Sequence, residues 1–186
     1  MKKVIIWILG IIVFLVGGGI IGLQYLKNQT KSLSPEREIH FAVDNLAIDV
    51  FYCRPSARGR KVFGQGALVP YDQVWRTGAN EATTFSTQSD IYLMGELLPA
   101  GEYTLWTIPD TTQWNVIFNN KQYAWGVNYE GLPSREIAFD VLNLEIPAEK
   151  SPHYIEMFTI DVDAEGLSLA WENTHIEVPF GSEPIL

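Results

Sequence analysis

Five basic side chains, Arg54, Arg58, Arg60, Lys61 and Arg76, crowd into one short span of an otherwise acidic chain, opposed there only by Asp72. They lie in "CRPSARGRKVFGQGALVPYDQVWR", whose glycines and prolines predict a loop with backbone N–H groups free to face a ligand. Arginine presents a planar fork of donors suited to carboxylate, phosphate or sulfate. Trp75, beside Arg76, offers the flat apolar surface that sugars and aromatic rings lie against. Together with Ser56, Asn80, Glu81 and Trp125, these residues form a candidate site for a small polar or anionic ligand.

The run "VWRTGANEATTF" (Val74 to Phe85) also has an architectural reading. Arg76 and Glu81 are spaced to form an ion pair, with Thr77 to Asn80 as a tight connection into a strand near Ala82. Gly78 then supplies backbone freedom, Asn80 a turn hydrogen bond and Trp75 plain core. Two further readings stay open. Glu81 acts as the base of a hydrolase with the arginines as clamps, or the whole corner belongs to a structural envelope protein.

Other chemistry has less to stand on. His40, His153 and His175 lack any ligand spacing, so neither a metal nor a cofactor is expected. "FGQGAL" lacks the Lys-Ser/Thr ending of a phosphate loop. Cys53 ends an apolar run and reads as an inert core thiol, while Ser56, Ser86 and Ser89 have no nucleophile elbow.

The elements that must position these residues are short strands. In "EMFTIDVD", Phe158, Ile160 and Val162 share one face while Met157, Thr159, Asp161 and Asp163 share the other, the period of a half-buried strand. "DAEG" and "ENT" are spaced as hairpin turns. No segment after residue 31 carries a helical stripe. The expected domain, residues 39–186, is therefore all-β, an antiparallel β-sandwich, jelly-roll-like or an open barrel.

Before it stand a membrane anchor (1–26) and a polar tether (27–38). Val4 to Leu23 is twenty residues without a charge, enough for a helix of about 30 Å, the thickness of a bilayer core. The run is longer than a signal-peptide core and no A-x-A site follows, so an uncleaved single-pass signal-anchor is expected. Lys2 and Lys3 before it and Lys27, Lys31 and Arg37 after it leave orientation undecided. Residues 32–186 hold nine basic groups against all 22 acidic ones, a formal charge of −13. Such a domain repels nucleic acid and anionic membrane surfaces. Oligomeric state is not legible.

"FYCRPSARGRKVFG", "LVPYDQVWRTGANEATTFS", "LPAGEYTLWTIP", "QWNVIFN" and the pair Trp125-Gly126 resemble, in this order, the motifs of Domain of Unknown Function family 2911. Trp75 to Glu81 is the most distinctive match, and Cys53 stands where another small residue is expected. The resemblance implies a bacterial, exported protein and so a domain outside the cytoplasmic (inner) membrane; it implies no activity. The reading is a membrane-anchored extracytoplasmic binding module for a carbohydrate or envelope component.

Overall fold

The computed structural model describes residues 2–181, the side chains of residues 2–6, 8, 9, 27 and 28 excepted. The chain divides after Leu33 into a helical unit and a β unit that begins at Ser34.

Helix α1 spans Lys2–Leu33. Its stretch Gly10–Leu33 is long and apolar enough to cross a membrane by length and composition. The helix runs well into the segment expected as a tether. Tyr25 and Gln29, one turn apart, are joined by a side-chain hydrogen bond of 3.0 Å, and Lys31 in the last turn complements the negative helix end. Pro35 stops it, because the residue before a proline is pushed out of the helical region.

The β unit is a sandwich of two antiparallel sheets that do not close into a barrel. The first sheet has the order β1-β2-β3-β6-β7-β8: β1 Glu36–Val43, β2 Leu46–Cys53, β3 Thr84–Thr87, β6 Gly101–Pro109, β7 Gln113–Asn119 and β8 Asp140–Pro147. The second has the order β5-β4-β10-β9: β4 Ile91–Leu93, β5 Glu96–Leu98, β9 Glu149–Val162 and β10 Gly166–Gly181. Residues 182–186, the end of the expected domain, lie outside the described residues.

Phe158, Ile160 and Val162 face the core as their alternation predicts. "DAEG" is the turn between β9 and β10, with Asp163 Oδ1 accepting from the N–H groups of Glu165 and Gly166 at 2.8 and 3.0 Å. "ENT" is not a hairpin. It is an irregular point inside β10, where the pairing register with β9 shifts on both sides of Glu172. Glu172 sits at φ 52, and its carboxylate accepts the Val62 N–H at 3.3 Å, a contact that favours a bulge over a turn.

The core between the sheets is aromatic. Trp75 stacks on Trp171 at 5.8 Å and meets Phe158 edge-on at 4.8 Å, with Phe63 and Trp114 closing the cluster. Tyr52 ties the sheets together: its hydroxyl donates to the Ile160 carbonyl and accepts the Ile160 N–H. Cys53, Ala79, Ala82, Trp106 and Ile117 are buried as well but stand outside this cluster. Cys53, Trp106 and Ile117 alternate with the core residues Tyr52, Leu105 and Val116, so they belong to the opposite face of the six-stranded sheet. That face carries the candidate site.

Candidate functional site

The chain reaches β6 at Trp75, leaves it, and returns at Thr83. Trp75 N–H donates to the Thr107 carbonyl at 2.7 Å, and Leu105 N–H donates to the Thr83 carbonyl at 2.8 Å. Three residues of β6, 105–107, thus face nine of the incoming chain, 75–83, and residues 76–82 are forced out as a looped corner.

The corner is held by its own polar groups. Thr83 Oγ1 donates to the Thr77 carbonyl at 2.7 Å, Trp75 Nε1 to the Gly78 carbonyl at 3.0 Å, and Ala79 N–H to the Cys53 carbonyl at 3.2 Å. Thr77 Oγ1 lies 3.2 Å from Thr107 Oγ1. A Cβ on Gly78 would come within 2.9 Å of the Cys53 carbonyl oxygen, so only glycine fits that crossing. Thr77 and Asn80 adopt φ 53 and 57. For a β-branched residue this is an unfavourable conformation that the surrounding bonds must hold in place.

Arg76 is the residue this frame displays. Its aliphatic stem lies on Gly126, where a Cβ would fall 2.2 Å from Arg76 Cδ and 2.6 Å from Arg76 Cβ. Gly126 N–H donates to the Asn80 carbonyl at 3.1 Å, which locks the β7–β8 loop onto the corner. Arg76 Nε is buried and has no hydrogen-bond partner among the described residues. Among the described residues no ion pair reaches the guanidinium. Burial lowers its pKa from the ordinary arginine value, opposed in part by the nearby Cys53 thiol. The side chain borders a cavity of about 190 Å³ whose walls include Pro70, Gln73, Val74, Val127, Leu132 and Pro133.

The expected Arg76–Glu81 ion pair is not made. Glu81 turns to Cys53, whose thiol lies 3.3 Å from its Oε2 and donates to it. Burial, and then the Glu81 carboxylate, push the Cys53 thiol up to about 11, so it stays protonated at neutral pH. Glu36, Cys53 and Glu81 bring potential ligand atoms within 4.8 Å of one another. A protonated thiol that already donates to one of the carboxylates is a weak start for a metal centre.

Arg54 and Arg60 spend their head groups on partners of their own. Arg54 pins the end of β2 to β9, with Nε donating to the Phe158 carbonyl at 3.2 Å and Nη2 to Thr159 Oγ1 at 2.9 Å. Arg60 folds back on its own loop, onto the carbonyls of Ala57 and Ser56 at 3.0 and 2.8 Å. Arg58 is exposed at φ 52, its N–H donating to Glu156 Oε1 at 2.7 Å. Ser56 forms a bridge with Met157. Residues 54–60 therefore clamp the loop to β9, because a chain crossing between sheets leaves carbonyls that need donors. Trp75 is a core residue, and half-buried Trp125 lines a separate cavity in the β7–β8 loop.

Sequence reasoning missed Trp106, fully buried on this face with its Nε1 unpartnered, and the packing role of Gly126. The Trp125-Gly126 pair was the only trace of the latter. No curated protein and no solved structure matches the chain. Residues 34–180, which include the corner and the loop over it, match the family described as protein of unknown function (DUF2911), and the chain belongs to that family.

Proposed function

We propose that this protein is a membrane-anchored binding module that holds a small anion, a carboxylate or a phosphate, against Arg76. The observation that carries this reading is the half-buried Arg76, whose buried Nε has no partner among the described residues, at the edge of a small cavity. A buried charge without a counter-charge is costly, and an anion arriving from solvent relieves that cost. The guanidinium fork suits bidentate contact with carboxylate or phosphate. The cavity, at about 190 Å³, suits a small group and not a polymer backbone.

The hydrolase alternative has less support, because Glu81 is engaged by the Cys53 thiol. The architectural alternative describes Thr77, Gly78 and Thr83 well, yet those residues hold the corner without using the Arg76 head group. Frame and binding group are thus different residues of one motif. Helix α1 is the membrane anchor in this reading, and the acidic β domain stands outside the cytoplasmic membrane of a bacterial cell. The apolar length of α1 supports the anchor.

The test is a thermal-shift titration of the full chain in detergent with acetate, phosphate, sulfate and citrate, run beside Arg76→Met. A saturable rise in Tm for wild type, absent in the variant, is the expected outcome. Equal shifts in both proteins, or none in either, would defeat the proposal.

A further inference from the structure

We infer that the β7–β8 loop carries a second, independent site, which takes a neutral carbohydrate. Residues 120–136 of this loop are held firmly against the six-stranded sheet. Thr104 Oγ1 donates to the Lys121 carbonyl at 2.7 Å, and Asn119 Nδ2 to the Glu136 carbonyl at 2.9 Å. The Tyr123 hydroxyl accepts the Glu136 N–H at 3.0 Å, and the Tyr123 ring meets buried Trp106 edge-on at 5.5 Å. Asn128 Oδ1 accepts the N–H groups of Glu130 and Leu132, closing the turn at the loop's tip.

This loop borders an open cleft of about 560 Å³, within the usual volume range for small-ligand sites. Three aromatic rings line it, those of Tyr123, Trp125 and Tyr129. Tyr129 is fully exposed, at 111% of its reference area, which leaves its ring bare to solvent. The polar lining is Gln122, Asn128 and Ser134. With its Oδ1 occupied, Asn128 retains its amide donors, and among the described residues nothing hydrogen-bonds the Gln122 side chain or the Ser134 hydroxyl.

No charged residue lines the cavity. The two cations next to the lining in sequence, Lys121 and Arg135, are committed to Glu136 and Asp140. Flat apolar faces beside neutral donors and acceptors are what a pyranose presents a need for: its C–H face lies on an aromatic ring while its hydroxyls reach amides. A nucleotide would bring phosphates to a lining that holds no cation. The cavity shares only Val127 with the lining of the Arg76 cavity, so the two sites stand or fall separately.

The experiment uses the full chain in a zwitterionic detergent free of sugar headgroups. Chitotetraose, maltotetraose and cellotetraose are titrated to about 10 mM, followed by tryptophan fluorescence and calorimetry. At least one should bind saturably. Tyr129→Ala, at an exposed position that does not threaten folding, and Trp125→Ala should each weaken it at least about tenfold, while Arg76→Met leaves it unchanged. Trp125→Phe should restore part of the loss. No saturation by any of the three, affinity that survives Tyr129→Ala, or binding of a proline-rich peptide in their place would overturn the inference.

Discussion

Replacing Arg76 by Met should make the protein more stable. Arg76 is half-buried, its buried Nε has no partner among the described residues, and Glu81 is turned toward Cys53. A buried donor left unsatisfied costs about 1–3 kcal/mol. Exchanging a buried charge for an apolar group of similar volume is often neutral or favourable by about 1–4 kcal/mol. Methionine keeps the stem that lies on Gly126, so little packing is lost against those gains. We expect a net gain of about 1–2 kcal/mol, together with loss of anion binding. Urea unfolding of the full chain in detergent, followed by the fluorescence of the buried tryptophan cluster, measures it. The ion pair expected from the spacing of Arg76 and Glu81 demands the opposite, a loss of about 3–5 kcal/mol from an orphaned carboxylate. A loss of that size in Arg76→Met would refute the reasoning.

Two other outcomes follow from the same corner. Gly126→Ala should destabilise by about 1–3 kcal/mol, because the new Cβ would sit 2.6 Å from Arg76 Cβ, an atom tied to the backbone that no rotamer change can move. Combining it with Arg76→Gly should recover much of that loss in a double-mutant cycle, and strict additivity would show that the clash is relieved elsewhere. The Cys53 thiol, raised from the ordinary 9.0 to about 11, should resist iodoacetamide at pH 8 in the native protein and react once unfolded. Because the folded state holds this proton more tightly, its contribution to stability is complete below pH 9 and is lost as pH rises through 11. Rapid native alkylation at pH 8 contradicts this.

What the sequence by itself determined is what depends on near neighbours. The charge-free run of α1 sets its apolar character, Pro35 sets where the helix must stop, and the alternation at 157–163 sets which face of β9 is buried. Asp163 and Gly166 form their turn through bonds three residues long. The tertiary structure decided whatever depended on a distant partner. "ENT" became a bulge because Val62, 110 residues earlier, offers its N–H to Glu172. Arg54 gives its guanidinium to carbonyl and hydroxyl oxygens on β9, more than 100 residues away. Arg76 stayed without a counter-charge because Glu81 met the Cys53 thiol at the end of β2, and because a loop from β7 brought Gly126 down on its stem. Local composition marked the segment that matters; which of its charges remained unpaired was set by strands that meet only when the sandwich closes.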